Sequence, residues 1–202
     1  MSGLEFLFVA SVGYIIGSIP FAVIIGIFHG VDILKQGSGN PGATNVKRVI
    51  GKGAGYLCFV GDSTKGLLAA GWPQLPVFEF VEPLRFAIVG LVAAVLGHSF
   101  SIFIGFRGGK GVATIIGGLL AIMTKVLLIS VVVWLIVFYT TRYVSVASIG
   151  LGLSLPLLAL FCREPIEVIV LCLFLTTFII LRHRSNIRRL ISGTEDRVQK
   201  EI

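Results

Sequence analysis

Long apolar segments follow one another along most of the sequence, and they restrict the fold more than any other feature. Of the 202 residues, 55% are hydrophobic and 13% are charged, and the mean hydropathy is +0.98. A helix needs about 20 apolar residues to cross a bilayer. We therefore predict an all-α, polytopic membrane protein with seven transmembrane helices in a single domain, residues 1–202. The predicted spans are approximately residues 4–27, 53–72, 84–104, 112–123, 126–139, 144–161 and 166–181.

The first apolar segment contains Pro20, directly after Gly17-Ser18-Ile19. Proline removes a backbone donor and disturbs the preceding turn, so we expect a kink or a break in the helix here. No Lys or Arg precedes the segment, and its apolar run is longer than that of a cleaved signal peptide. The segment is therefore predicted to be a retained first span.

Lys and Arg are unevenly divided between the two sides that seven crossings define. Arg85, Lys125 and Arg163 fall on one side, whereas thirteen fall on the side of the C-terminal tail. Positive loops stay in the cytoplasm, so the tail is predicted to be cytoplasmic and the amino terminus outside. Such loops, together with anionic phosphate groups as ligands, account for the net charge of +7, and no soluble basic domain is left to bind nucleic acid.

A glycine-rich, cationic stretch lies between two apolar segments at residues 97–114. Its chemically notable residues are His98, Gly105, Arg107, Gly108, Gly109, Lys110 and Gly111. Glycines let backbone N–H groups approach an anion closely, and the cations supply the opposite charge. The stretch predicts a phosphate cradle at the membrane surface. A basic, flexible loop is the alternative.

A second polar stretch, residues 35–48, lies between the first two predicted spans. Asn40-Pro41-Gly42 has the chemistry of a tight turn, because proline fixes φ and glycine accepts a positive φ. The hydrogen-bonding side chains around it are Ser38, Asn40, Thr44 and Asn45. They suit a phosphate or a polyol, and a solvated connector is an equally good interpretation.

Asp62 and Lys65 lie inside the second predicted span. A charge at the centre of a membrane helix costs roughly 2.5–3.5 kcal/mol on insertion scales, so such residues are by default paired or functional. Their spacing places them on one helix face, where they can form an ion pair. A structural ion pair is at least as compatible with the pattern as a direct role in chemistry.

A third polar stretch is the tail, residues 182–195, which contains His183 and Asn186. Ser145 and Ser148, at the start of the sixth predicted span, share a helix face. They either bond back to their own helix or line a site. The predicted topology places all three polar stretches on the cytoplasmic face.

Several standard sites are excluded. Gly109-Lys110 is no Walker A loop, because Ile104 stands where that loop needs glycine and Gly111 where it needs Ser or Thr. No histidine is followed by Asp five residues later, no Gly-x-Ser-x-Gly elbow occurs, and carboxylate clusters for a divalent metal are missing. Cys58, Cys162 and Cys172 form no C-x-x-C pair. We expect no metal and no cofactor.

At these residues the sequence resembles the bacterial acyl-phosphate-dependent glycerol-3-phosphate acyltransferases, which are integral membrane enzymes with seven helices. The similarity covers nearly the whole chain. It is carried by Gly-Ser-Gly-Asn-Pro-Gly-Ala-Thr-Asn at residues 37–45, Gly-His-x-Phe…Phe-x-Gly-Gly-Lys-Gly-Val-Ala-Thr at 97–114, and Arg-His-x-x-Asn-Ile-x-Arg-Leu-x-x-Gly-x-Glu at 182–195.

The resemblance implies the first acylation of phospholipid synthesis in the bacterial inner membrane. An acyl group passes from acyl phosphate to the 1-hydroxyl of glycerol 3-phosphate and gives lysophosphatidic acid and phosphate. The residues implied to hold glycerol 3-phosphate are Lys110, Arg48, His183, Asn186 and a serine, Ser148 rather than Ser145. The residues implied to receive the acyl phosphate belong to the two glycine-rich loops: Ser38, Gly39, Asn40, Gly42, Thr44, Asn45, Arg107, Gly108, Gly109 and Gly111, with His98 beside them.

The resemblance leaves the acceptor of the hydroxyl proton open. His98 and His183 are candidate bases, and each has a role as a phosphate ligand or helix cap as the alternative. The substrate's own phosphate is the acceptor that we favour. Acyl phosphate, glycerol 3-phosphate and membrane lipid are the expected partners, with the enzyme that makes acyl phosphate as a further candidate.

Two other classes of function compete with this interpretation. A transporter of a phosphorylated small solute also has broken membrane helices and intramembrane charge. Against it, the two halves show no internal repeat, and the polar residues gather on one predicted face. A purely structural membrane subunit leaves the three polar stretches without a purpose.

Overall fold

The computed structural model describes residues 3–78 and 80–198. These residues form α-helices joined by loops and short 3-10 turns, with no β-strand among them beyond one isolated bridge. The helices are α1 (Gly3–Ser18), α2 (Phe21–Phe28), α3 (Ala43–Val49), α4 (Lys52–Gly71), α5 (Pro83–Ser99), α6 (Val112–Ile122), α7 (Thr124–Thr141), α8 (Val144–Phe161), α9 (Ile166–Arg182) and α10 (Arg184–Ile191). The all-α prediction is confirmed.

Each predicted span contains a helix, but not every helix is long enough to cross a membrane by itself. Within the described residues, three helical stretches have the required length and apolar character: Gly3–Phe28, Thr124–Thr141 and Val144–Phe161. A fourth is added if α9 and α10, which meet at a bend of 55°, are taken as one broken span. Helices α5 and α6 are apolar but shorter. The count of seven spans therefore stays a prediction.

One local expectation is confirmed, and two others differ from the structure. The break at Pro20 is confirmed, since α1 ends at Ser18 and α2 begins at Phe21. The third apolar segment, expected to be helical to Ile104, leaves the helix at Ser99, and Ile102–Ile104 is a separate 3-10 turn. Part of the polar stretch at residues 35–48 is helical instead of looped, because α3 begins at Ala43.

The chain divides into two compact units, residues 1–122 and 123–202. In the first unit α1 packs along α5 and α4 along α6. These contacts are close because glycines face backbone. A Cβ on Gly17 would strike the backbone of Ala94, and one on Gly66 would strike the carbonyl of Thr114. Small residues at helix contacts are typical of membrane proteins, where close backbone approach replaces the hydrophobic effect as the source of stability.

The second unit is built from α7, α8 and α9, each packed against the next, with α10 attached to α9. Large apolar side chains on the outer sides of these helices are exposed; examples are Leu128, Ile136, Leu157 and Leu173. Such a surface is a liability in water and suits lipid contact. After α10 the chain folds back, and the Val198 N–H donates to the carbonyl of Arg142 at 3.0 Å.

Candidate active site

The break between α1 and α2 is closed by side chains from elsewhere in the first unit. A helix end leaves carbonyls without intrahelical donors, and Pro20 has no N–H to offer. The hydroxyl of Ser101 donates to the carbonyl of Ser18, and the Lys65 ammonium donates to the carbonyl of Ile19 at 2.8 Å. The break is therefore tied both to α4 and to the loop after α5.

A buried charged cluster lies next to this break. Lys65 Nζ is 2.8 Å from Asp62 Oδ1, and both side chains are about 3% exposed. The Asp62–Lys65 pair expected from the sequence is thus present. A third member was not expected: His98 Nδ1 lies 3.4 Å from the same Oδ1. The thiol of Cys58, one turn before Asp62, donates to Oδ2 at 3.6 Å.

The glycine-rich loop after α5 turns back against His98. Ser101 and Arg107 pair as an isolated antiparallel bridge, in which the Ser101 N–H donates to the Arg107 carbonyl at 3.0 Å. The Gly109 N–H then donates to the His98 carbonyl at 3.1 Å. A Cβ on Gly108 would strike that carbonyl, and one on Gly109 would strike His98 Nε2. Glycine is required at both positions because the backbone passes directly over the histidine.

The polar stretch at residues 35–48 contacts this turn. A Cβ on Gly109 would also lie 3.0 Å from the carbonyl oxygen of Pro41, and a small cavity is lined by Pro41, Gly108, Ser18, Asp62 and His98 among others. The first unit therefore brings together two of the stretches that the sequence singled out.

Asn45, predicted to bind substrate, holds the polar stretch at residues 35–48 in shape. Its Oδ1 accepts from the Ser38 N–H at 2.9 Å, and its Nδ2 donates to the carbonyls of Gln36 at 3.0 Å and Ile33 at 3.3 Å. The side chain is buried at the start of α3. Ser38 and Thr44, in contrast, are exposed, and Asn40 is half-buried.

The predicted phosphate-binding cations of the first unit differ in exposure. Arg48, in the last turn of α3, and Arg107, after the 3-10 turn, are exposed, whereas Lys110 is half-buried beside the buried Gly109 and Gly111. Gly111 has φ +84° and leads directly into α6. Lys110 is thus fixed between the turn over His98 and the first residues of a helix.

The second unit contains a polar cluster centred on Glu195. Its Oε1 accepts from the Ser145 hydroxyl at 2.7 Å and from Asn186 Nδ2 at 2.6 Å, and its Oε2 accepts from Arg189 Nε at 2.7 Å. Burial by itself raises the pKa of Glu195, but the hydrogen bonds from Asn186, Ser145 and Arg189 outweigh it and hold the pKa below its usual range.

Ser148 and His183 have local partners in the second unit. The Ser148 hydroxyl donates to the Val144 carbonyl at 2.8 Å and accepts from Trp134 Nε1 at 3.4 Å. His183 is buried between α9 and α10, and its Nδ1 lies 2.8 Å from the Ile179 carbonyl. Ser145 is the serine that contacts the polar cluster centred on Glu195. The resemblance had favoured Ser148 instead.

Two residues important to these clusters were missed by sequence reasoning. Glu195 carried a signal, because it is the last residue of the tail motif, but only the fold shows that it joins Ser145 to Asn186. Ser101 had no such signal in the sequence, because its hydroxyl donates to the carbonyl of Ser18, which is far from it along the chain. The binding roles of the other predicted residues stay predictions.

The fold defines an all-helical membrane protein. Comparison with known proteins is more specific. The family model described as glycerol-3-phosphate acyltransferase matches residues 7–193. A glycerol-3-phosphate acyltransferase of Carboxydothermus hydrogenoformans is 44% identical over 94% of this chain and 94% of its own length, and one of Aquifex aeolicus is 42% identical over 95% and 98%.

Solved structures agree with the sequence relatives. The crystal structure of PlsY (YgiH), an integral membrane glycerol 3-phosphate acyltransferase, in its glycerol 3-phosphate form has a TM-score of 0.89 and 40% identity, covering 96% of each chain. Its lysophosphatidic acid form has a TM-score of 0.86 at 40% identity, covering 96% of this chain and 95% of the other. The chain belongs to the glycerol-3-phosphate acyltransferase family, as the three motifs predicted, and it is a membrane enzyme.

Proposed function

We propose that this enzyme transfers an acyl group from acyl phosphate to the 1-hydroxyl of glycerol 3-phosphate, giving lysophosphatidic acid and inorganic phosphate. The related PlsY structures are described as glycerol 3-phosphate and lysophosphatidic acid forms, which supports the acceptor and the product. The observation that carries the proposal is the close approach of Pro41 to Gly109, which brings the polar segment of residues 38–45 next to the glycine turn that contains Lys110.

Acyl phosphate as the donor agrees with the chemistry of these segments. It is a mixed anhydride and already activated, so the enzyme has chiefly to hold two anions close together and shield their repulsion. The glycerol hydroxyl oxygen attacks the acyl carbon, the bond from that carbon to the phosphate oxygen breaks, and phosphate leaves. The hydroxyl proton passes to a phosphate oxygen of the substrate. No covalent acyl-enzyme is required.

In the first unit, Lys110 and Arg48 are proposed to bind glycerol 3-phosphate. The donor's phosphate is proposed to lie against residues 38–45 and 107–111, where Arg107 adds a further cation. Because Asn45 is buried, its role within this proposal is structural instead of direct contact with substrate. It keeps the segment in its bent form, so that the exposed Ser38 and Thr44 are available to a ligand.

In the second unit, His183, Asn186 and a serine are proposed to contribute to binding of glycerol 3-phosphate. Ser145 is the better choice of serine on geometry, since its hydroxyl shares Glu195 with Asn186. The two hydrogen-bonding partners of Ser148 already use its hydroxyl as donor and as acceptor.

We further propose seven spans in the bacterial inner membrane, with the amino terminus outside and the three polar stretches in the cytoplasm. The uneven distribution of Lys and Arg supports this orientation. Residues 1–202 are proposed to act as one acyltransferase domain. The enzyme that makes acyl phosphate is a candidate partner.

Phosphate release by the purified full chain tests the proposal. The protein, in lipid mesophase or detergent, is supplied with palmitoyl phosphate with and without glycerol 3-phosphate. Lys110→Ala is the test variant, and Lys125→Ala, at an exposed position at the start of α7, is the matched control.

We expect release that depends on glycerol 3-phosphate, disappears in Lys110→Ala and persists in Lys125→Ala. A folded wild-type protein that releases no phosphate would contradict the proposal and favour a transporter. Uptake of glycerol 3-phosphate into proteoliposomes would then be the next measurement.

A further inference from the structure

The buried cluster of Asp62, Lys65 and His98 contains two charged residues, Asp62 and Lys65, that substrate binding does not explain. Asp62 and Lys65 lie inside α4, where both are buried, and neither belongs to the polar stretches proposed to bind substrate. Burying charged groups costs several kcal/mol per ion even after relaxation. An ion pair needed only for packing is often replaceable by apolar residues without loss of stability. The cluster therefore calls for a role that apolar residues cannot fill.

The contacts of the cluster lead in two directions. Lys65 donates to the Ile19 carbonyl at the break between α1 and α2. His98 leads to the glycine turn, because its carbonyl accepts from the Gly109 N–H and its ring edge lies directly under Gly109 Cα. Asp62 joins the two through one oxygen, Oδ1, which is 2.8 Å from Lys65 Nζ and 3.4 Å from His98 Nδ1.

The carboxylate also sets the chemical form of the imidazole. An ionised Asp is only an acceptor, so the ring nitrogen that faces it carries hydrogen. His98 is then held with Nδ1–H towards Asp62 and Nε2 towards Gly109. A ring rotated away from this orientation would drive into Gly109 or leave the Asp62 charge with one partner fewer.

We propose that Asp62 is a positioning residue of the acyltransferase reaction. It fixes the ring of His98, and through that ring it fixes the Gly108-Gly109-Lys110 turn whose lysine is proposed to bind substrate phosphate. Lys65 balances the charge of Asp62 and ties the same carboxylate to the helix break. The inference rests on the proposed function in so far as Lys110 is taken as a substrate ligand.

Two double variants of the full chain test the role of the acceptor at position 62. Both contain Lys65→Met, so both lose the same charge and the same bond to Ile19. One adds Asp62→Asn, whose side-chain oxygen still accepts from His98 Nδ1–H; this double variant is called the Asn pair. The other adds Asp62→Leu, which cannot accept a hydrogen bond, and is called the Leu pair. Phosphate release gives kcat and KM, and ¹⁵N NMR of histidine-labelled protein gives the protonation of each ring nitrogen. The His98 signals are those missing from a His98→Asn variant.

We expect the Asn pair to retain most of the wild-type kcat and the wild-type Nδ1 signal. In the Leu pair we expect kcat to fall about 10²-fold, since a displacement of about 1 Å in a catalytic site has that effect, and the Nδ1 signal to change. A folded Leu pair that matches the Asn pair in both kcat and Nδ1 signal would overturn the proposal.

The wild-type spectrum tests the inference without any variant, which covers the case that the Leu pair does not fold. An unprotonated Nδ1 in wild-type His98 would overturn it. Wild-type protein that releases no phosphate would instead count against the proposed function, and the Nδ1 signals would still decide whether Asp62 orients His98.

Discussion

The hydroxyl of Thr176 on α9 lies 2.6 Å from the carbonyl oxygen of Gly152 on α8 and 2.7 Å from that of Cys172, one turn earlier on its own helix. Gly152 is four residues before Pro156, which lies inside α8 and has no N–H to donate to that carbonyl. The one hydrogen of the Thr176 hydroxyl is shared between these two carbonyls, and towards Gly152 it replaces, from a neighbouring helix, the donor that proline removed. A backbone group left unsatisfied in an apolar setting is costly, and membrane helices commonly resolve a proline in this way.

Replacing Thr176 by Val should destabilise the second unit. Valine keeps the shape of the side chain and removes the donor. Hydrogen bonds between membrane helices are worth about 0.6 kcal/mol on average and up to about 1.7 kcal/mol, and we expect a loss in this range, measured by reversible unfolding in mixed micelles.

A double-mutant cycle supplies the control for the Thr176 prediction. A Pro156→Ala background restores a backbone N–H that can donate to the Gly152 carbonyl, so Thr176→Val should cost less there than in the wild type. Equal costs in both backgrounds would mean that the hydroxyl does not compensate for the proline.

Gly109→Ala should reduce phosphate release by about 10²-fold or more. The added Cβ would meet His98 Nε2 and the Pro41 carbonyl, so the turn must move away from both, and displacements of about 1 Å in a catalytic site have effects of this size. Gly53→Ala is the matched control, because a Cβ on Gly53, in the first turn of α4, has no atom within 4 Å. Equal activity of the two variants would show that the turn tolerates displacement.

Glu195→Gln should lower the stability of the second unit by about 1.5–3 kcal/mol at neutral pH, the usual contribution of hydrogen bonds to a charged group. The folded-state pKa of Glu195 lies below its usual range. The stabilisation from a depressed pKa is complete above the unfolded-state value, about 4.3, and is lost as the pH falls through the folded-state pKa. The free energy of unfolding of the wild type should therefore decrease as the pH is lowered below about 4.3.

The Glu195→Gln variant should lack that component of the acid transition. Glu164→Gln, which removes one negative charge after α8, is the control for net charge. The measurement is unfolding at a series of pH values, and an unchanged acid transition in Glu195→Gln would assign it to other carboxylates.

Ser145→Ala should reduce activity more than Ser148→Ala. The first change removes a donor to Glu195 and so loosens the carboxylate that also holds Asn186. The second removes a hydroxyl that bonds to its own helix and to Trp134. Comparison of kcat/KM for glycerol 3-phosphate decides between them, and a larger loss in Ser148→Ala would restore the choice made from the sequence.

The sequence predicts what depends on near neighbours. Pro20 predicts the break between α1 and α2, and the spacing of Asp62 and Lys65 predicts their pairing. His98 as the third member of that cluster could not be foreseen, because it comes from α5 and meets α4 only through tertiary packing. The same applies to Thr176 and Gly152, since neither residue carries a local sign of the other. Asn45 shows a further limit, because its amide is well suited to binding a ligand but is used to shape the loop.

His98→Asn tests where the hydroxyl proton goes. The Asn side-chain amide can donate to Asp62 in place of Nδ1–H but cannot act as a base. If a substrate phosphate takes the proton, we expect a loss of about 10²-fold, because the ring that supports the Gly109 turn is missing, and a dependence of kcat on pH with the wild-type shape. Removing a true general base costs about 10²–10⁴-fold and changes that shape. A loss of that size with an altered pH profile, in a variant that still binds glycerol 3-phosphate, would assign the proton to His98.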